Sequence, residues 1–358
     1  MAPTGSCRFV PIWGCFPVTL EELKLRQLAG QYLLVPGKRD TVLRDLCGVQ
    51  AQFLSNAIHA LTLRCTDFDP LHTDGMVKNW TVRGTMHVFS TADLPLFLHQ
   101  GRNHFLRPCD TLEGDDNVSK ERKDYFARLI VESVAAGTDL REDLKDLCTA
   151  HGMTETEEES LFNAWGGILR ALCENGTLCH KVQEKKAFML CPPFEPMEEE
   201  TARLELARRY FTHFGPATVK DAAYYFGTTQ SKVKEWLEKL PVICADLDEK
   251  SYFYLENGAY FNHNIPECLF LAGFDQLLLG HEKTESLFLP PEHLRGIFNL
   301  AGIVMPAVLL RGRVVGKWKR TGKKLAVTLF EDIPDADKRR IEECAFDVWR
   351  DLRTVAFS

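Results

Sequence analysis

Two short stretches of this sequence carry side chains whose types and spacing suit chemistry. The first is Gly48-Val49-Gln50-Ala51-Gln52. Glutamines at i and i+2 fall on opposite sides of a helix but on one face of an extended segment. Gly48 is a natural break, so Gln50 and Gln52 can share a face at a helix end. Neutral carboxamides can orient water and stabilise developing positive charge through their oxygens. Surface glutamines are common, however, and the spacing alone leaves a plain surface role open.

The second stretch is Arg311 to Lys324, RGRVVGKWKRTGKK. It holds Arg311, Arg313, Lys317, Lys319, Arg320, Lys323 and Lys324 and no acidic residue. In an extended strand Arg313, Lys317 and Lys319 share a face. Such a finger would reach phosphates or a groove, with Trp318 packing or stacking beside it. The competing reading is a solvated hairpin whose edge is blunted by lysines. The net charge of −7 argues against a nucleic-acid partner if taken alone. But the charge is segregated: acidic residues cluster in 113–116, 155–159 and 195–200, away from the basic stretch.

Other chemistries find no support. There is no phosphate-cradling glycine loop, no G-x-S-x-G elbow and no H-E-x-x-H. The 11 histidines are dispersed, and the 12 cysteines are scattered without a C-x-x-C pair or zinc-finger spacing. The expectation is therefore no metal, no cofactor, and reduced cysteines serving as small hydrophobes. No uncharged stretch is long enough to cross a bilayer. The interrupted N-terminus does not read as a signal peptide, which points to a cytoplasmic protein.

These candidate residues need a scaffold. Thr218 and Thr229 are helix N-caps on either side of Gly227, and Ala217 to Leu240 reads as a helix-turn-helix. A helix before it, and strands around a turn at Asp246 to Lys250 after it, complete a winged helix. The same order recurs earlier. Lys120 to Ala136, Leu140 to Ala150 and Leu161 to Glu174 read as helices, followed by a hairpin turning near Gln183 to Lys186. Earlier still, LEELKLRQLAGQYLL, TVLRDLCGVQ and Asp74 to Trp80 read as helices, with WTVRGTMHVFS as the wing. The expected fold is α+β, mainly α. Three tandem winged-helix units span 20–112, 113–197 and 198–262. A β-rich C-terminal region, 263–358, carries the basic hairpin and a last helix from Asp335 to Arg353.

The chain resembles the AlkZ-like winged-helix DNA glycosylases. The segments that carry the likeness are LEELKLRQLAGQYLL, LCGVQAQFLSNAIHAL, WTVRGTMHVFSTADLPLFL, FDQLLLGHEKTESLFLPPEHLRGIF and VMPAVLLRGRVVGKW. They span almost the whole chain after residue 20. The resemblance implies hydrolysis of the N-glycosidic bond of alkylated purines, with some members unhooking interstrand crosslinks. It implies a catalytic Gln, hydrophobic, Gln or Asp motif, matched by Gln50-Ala51-Gln52 with a small middle residue. It places Arg83, Thr85 and His87 beside the lesion or its phosphates, with a satisfied core histidine as the alternative for His87, and RGRVVGKWKR where the family holds DNA. A cationic alkylpurine leaves as a neutral base, so neither a strong acid nor a lysine nucleophile is required. The expected protein is a monofunctional hydrolase, a monomer acting on double-stranded DNA. The alternative is a non-catalytic winged-helix DNA-binding protein or regulator, because a fold does not dictate a function. A protein–protein scaffold would leave the basic hairpin without a role.

Overall fold

The computed structural model describes residues 14–99, 102–103, 118–164, 166–258 and 262–358, with the side chains of Arg83, His99, Arg102 and Asn103 outside the description. The expected boundary near residue 112 therefore lies outside the described residues.

The first stretch contains β1 (Phe16–Pro17), α1 (Leu20–Gly30), α2 (Arg39–Asp45), β2 (Val49–Gln50) and α3 (Leu54–Arg64). Strands β3 (Met76–Trp80) and β4 (Met86–Ser90) follow, then α4 (Leu94–Phe97) and the short pair β5 (Leu98–His99) and β6 (Arg102–Asn103). Thr19 starts α1 with a capping box to Glu22, and two orphan backbone N–H groups are satisfied there. Two expectations change here. Asp74 to Trp80 is not a helix but a turn followed by the strand Met76–Trp80, and α3 occupies a stretch that showed no helix in the sequence. β3 is buried along most of its length, because it runs down the middle of a sheet and has neighbours on both sides.

The second stretch holds α5 (Lys120–Ala135), α6 (Arg141–Ala150), α7 (Glu155–Leu161), α8 (Gly167–Glu174), β7 (Leu178–His180) and β8 (Phe188–Leu190). The single helix expected from Leu161 to Glu174 is interrupted. Gly166 and Gly167 have φ of +109° and +50°, a left-handed pair that no helix continues through. The third stretch runs α9 (Glu199–His213), α10 (Val219–Phe226), α11 (Gln230–Lys239), β9 (Ile243–Leu247) and β10 (Lys250–Tyr254). Thr218 and Thr229 cap α10 and α11, and Gly227 ends α10 in the left-handed conformation. Asp248 and Glu249 make the turn between β9 and β10 with positive φ.

These stretches interlock. β3 pairs with β7, so one sheet has the strand order β2-β4-β3-β7-β8 and draws on both of the first two stretches. One core joins Val42, Leu54, Phe89 and Phe97 to Leu206, Tyr210, Phe226 and Trp236. The stretches assigned to three units thus share a sheet and a core.

The last stretch contains β11 (Cys268–Phe270), α12 (Gln276–Leu279), α13 (Leu294–Ile297), β12 (Ala307–Leu310), β13 (Arg313–Thr321), β14 (Lys324–Leu329), α14 (Asp335–Val348) and β15 (Thr354–Phe357). The expected turns are present: Arg311 and Gly312 both have positive φ, and Gly322 with Lys323 closes the next hairpin. The sheet is not wholly antiparallel, since β15 joins β14 in parallel.

The cysteine expectation is corrected at one place. Cys15 and Cys244 form a disulfide. β1 lies parallel to β9, with Phe16 opposite Ala245, and that pairing brings together two cysteines 229 residues apart. Isolated positions in sequence carry no trace of such a contact. Cys47, Cys148, Cys173 and Cys179 are buried, in line with the small-hydrophobe reading, and burial pushes the Cys47 and Cys148 thiols up to about 12.

Candidate active site and basic hairpin

Gln50 owes its position to a reversal of the chain. After α2, Cys47 and Gly48 both take positive φ, +56° and +82°. The turn is tight: a Cβ on Gly48 would sit 2.7 Å from the Val88 carbonyl oxygen. The chain then enters β2, where Val49 lies opposite Val88 and Gln50 opposite His87. The Ala51 N–H donates to the Met86 carbonyl at 2.8 Å and extends this pairing by one residue. Ala51 is buried, as a small residue in this position can be.

The register brings three polar side chains into one row. Gln50 is opposite His87, and His87 is opposite Asn79 of β3. Directly opposed residues point to the same face of a sheet. All three are buried, with Gln50 at 7%, His87 at 4% and Asn79 at 1% exposure. Asn79 is committed to the fold, since its Nδ2 donates to the Cys173 carbonyl at 3.0 Å. The Gln50 carboxamide makes no hydrogen bond among the described residues. It suits a surface that a ligand or water completes.

The other expected residues divide. Nδ1 of His87 lies 3.0 Å from the Thr85 carbonyl oxygen, so Thr85 and His87 are adjoining members of the same corner. The hydroxyls of Thr85 and Thr81 are buried without hydrogen-bond partners among the described residues. The Arg83 side chain lies outside the described residues. Gln52 is exposed just past the end of β2, so it shares the corner with Gln50 but not its burial.

Three residues that the sequence reading missed hold this corner in place. The Gln276 side-chain amide donates to the Gly48 carbonyl at 2.9 Å. Beside it Asp275 caps α12 and accepts two bonds from Arg64, at 2.6 and 3.1 Å, with both side chains fully buried. The sequence signal was an aspartate followed by an apolar QLLL run, the pattern of an N-cap, within a segment already singled out as FDQLLLGHE.

The hairpin is connected to the same corner through α3. His59 lies 5.0 Å from Trp318 and 5.6 Å from Trp349, ring to ring, and its Nε2 is 2.7 Å from the Phe270 carbonyl. Burial pushes the His59 imidazole below its ordinary range. Trp318 donates its indole N–H to the Leu271 carbonyl at 2.9 Å and is half-buried. It packs inward against His59 and Trp349, which is one of the two uses expected for it.

The shared face expected for Arg313, Lys317 and Lys319 is corrected. A bulge interrupts the pairing between β12 and β13 at Val308/Leu309. Arg313 pairs with Leu310 and Lys317 with Ala307, positions three apart on β12 and so on opposite faces. Lys317 and Lys319 keep a common face, and Arg313 leaves it. Arg313 instead approaches Glu331 at 3.2 Å and Glu292 at 3.4 Å. Arg311 pairs with Asp337 and Glu267, and Arg320 with Asp351. Lys317, Lys319, Lys323 and Lys324 form no ion pair among the described residues. The cationic character open to a partner is therefore lysine character.

Among the described residues, one group has the proximity of metal ligands, namely Cys15, Cys244 and Asp246. Its two sulfurs are joined to each other, which leaves a single carboxylate and does not make a metal centre.

Comparison with known proteins bears on this site. A family model described as DNA glycosylase AlkZ-like matches residues 43–349. An interstrand DNA cross-link repair glycosylase of Streptomyces sahachiroi is 27% identical over 340 residues, covering 88% of this chain and 91% of that protein. The solved structure of the Streptomyces sahachiroi DNA glycosylase AlkZ is similar with a TM-score of 0.76 at 25% identity, spanning 96% of this chain and 100% of that one.

Proposed function

The chain belongs to the AlkZ-like DNA glycosylase family, and from that premise we propose that Gln50 and Gln52 carry out hydrolysis of the N-glycosidic bond of cationic N7- or N3-alkylated purines in double-stranded DNA. Membership of a glycosylase family takes the place of the non-catalytic alternative. The observation that carries the site assignment is the Gln50 carboxamide, buried on β2 opposite His87 and without a hydrogen bond among the described residues.

The chemistry follows from charge. An alkylated purine is positively charged on the base and leaves as a neutral molecule. Positive charge then develops on the sugar, and carboxamide oxygens fixed beside it stabilise that charge without a proton transfer. Gln50, held in the sheet, is the electrostatic partner. Gln52, exposed at the mouth, orients the attacking water. Thr85, His87 and Arg83 line the approach, and Lys317 and Lys319 hold phosphates. Arg313 and Trp318 support the hairpin from behind.

The helix order α9, α10, α11 with the β9–β10 hairpin supports a winged-helix reading of the third stretch, and the enzyme acts as a monomer. Interstrand crosslinks that join alkylated purines fall within the same chemistry, and the Streptomyces sahachiroi relative is named for crosslink repair. No described helix is long and apolar enough to cross a membrane, and an enzyme of chromosomal DNA belongs in the cytoplasm.

The experiment is incubation with a duplex carrying N7-methylguanine, followed by assay for the free base. The wild-type protein is expected to release it. Gln50→Ala is expected to lower the single-turnover rate by about 10²–10³-fold with duplex affinity retained. Gln52→Asp, which restores the other branch of the motif, keeps measurable release where Gln52→Ala loses it. Full-rate release by both alanine variants would remove these residues from the site. No release from any cationic purine lesion would overturn the substrate.

A further inference from the structure

We infer that Gln276 is a positioning residue for the reaction, acting through the Gly48 carbonyl on the placement of Gln50. The inference rests on the reading that Gln50 is catalytic, and it adds a residue far away in sequence to that site.

The geometry is specific. β2 is only two residues long, and among the described residues β4 is the one strand that pairs with it and holds Gln50 laterally. Its orientation is set by the turn that delivers it. That turn contains two consecutive left-handed residues, and one of them, Cys47, is not a glycine. Such backbone persists only where its surroundings over-determine it. Gln276 supplies the constraint: its Nε2 donates to the Gly48 carbonyl at 2.9 Å, it is 2% exposed, and 228 residues separate the partners.

The neighbours of Gln276 secure the other side of the motif. Asp275 binds Arg64 at the C-terminal end of α3. A Cβ on Gly273 would come within 2.8 Å of the Asn56 side chain in the first turn of α3, so this segment presses against the helix. Gly48, Asn56 and Arg64 thus all meet the segment 273–276. Gln50 to Gln52 sits between an entrance and an exit held by one short piece of chain. Catalysis by neutral carboxamides depends on orientation more than on acidity, and misplacement by about 1 Å can cost 10²-fold. Gln276 never needs to touch DNA to matter.

The test uses full-length protein and the N7-methylguanine duplex. Gln276→Met keeps the volume and removes the donor. It is expected to lower the single-turnover rate by roughly 10- to 100-fold, while duplex affinity stays within about twofold. Gln276→Glu gives a second readout: only the protonated acid can donate to the Gly48 carbonyl. Its activity relative to wild type is expected to rise as pH falls. The decisive comparison is the double variant with Gln50→Ala. If Gln276 acts through Gln50, the double variant is no slower than Gln50→Ala alone.

Additive losses would overturn the inference, as would a loss of affinity that matches the loss of rate. So would failure of both Gln276 variants to fold, which would make the residue one of core stability only. Full activity in Gln50→Ala would instead overturn the reading on which the inference rests, and the two failures are told apart by that single variant.

Discussion

Gln50 is 7% exposed on a strand of two residues, whereas Lys319 stands exposed on a strand of nine. Around Gln50 the structure is neutral and fixed from several directions. It has a sheet partner in His87, a clamped turn at Gly48 and a buried ion pair behind α3. Around Lys319 it is cationic and open. The arginines of the hairpin are occupied by carboxylates, and among the described residues the lysines are not. The guanidinium forks bind the hairpin to its own domain, while the ammonium groups on flexible stems are the ones that, on the function proposed above, follow a backbone of phosphates. Orientation is thus concentrated at one place and long-range attraction at another. Changes at the first should act on rate and stability, and changes at the second on salt-dependent affinity.

The largest effect should come from the ion pair behind the site. Asp275→Ala leaves the Arg64 guanidinium buried without its partner, and Arg64 already has one nitrogen, Nε, with no hydrogen bond among the described residues. Loss of one member of a buried pair costs about 3–5 kcal/mol. Denaturant unfolding of the variant should show that loss. A change below about 1 kcal/mol would mean that the corner is held by packing and not by this pair.

An effect of comparable total size, but spread over several pH units, concerns pH, because the site's sheet contains a buried histidine. His180 of β7 is held down to about 3 by burial, reinforced by Lys78 and Lys186. The unfolded chain binds a proton near pH 6.5 and the folded one does not. Stability is therefore full above about 6.5 and declines as pH falls towards 3, by about 1.4 kcal/mol per unit for this one group. His180→Phe should flatten that part of the stability profile. An unchanged slope would show that His180 is accommodated in its charged form.

The smallest effect sharpens the contrast on the hairpin. Lys317→Ala and Lys319→Ala should each weaken duplex binding and reduce the salt slope by about 0.9. Arg313→Ala, on the other face and already paired, should change that slope by much less. Equal changes for all three would show that Arg313 leaves its carboxylates for DNA, and that the division between arginines and lysines does not hold.

Local chemistry made much of the frame legible. Thr218, Gly227 and Thr229 mark the ends of α10 and α11 because caps and left-handed turns are written in neighbouring residues. The turns at Arg311–Gly312 and Gly322 were readable for the same reason. The stretch Asp74 to Trp80 was misread because a central strand buried on both sides loses the alternation that identifies strands. The bulge in β13 was invisible, since one extra residue reverses every following side chain without altering the composition.

The sequence by itself determined that two carboxamides stand together, that a lysine-rich hairpin follows, and that caps and turns divide the helices as they do. Each of these depends on residues within a few positions of one another. Only the tertiary structure decided that Gln50 lies opposite His87, that Gln276 grips Gly48, and that Cys15 meets Cys244. The physical reason is that such contacts close long loops. Their partners are chosen by how whole layers pack, and the energy that selects them belongs to the assembled core rather than to any short stretch of chain.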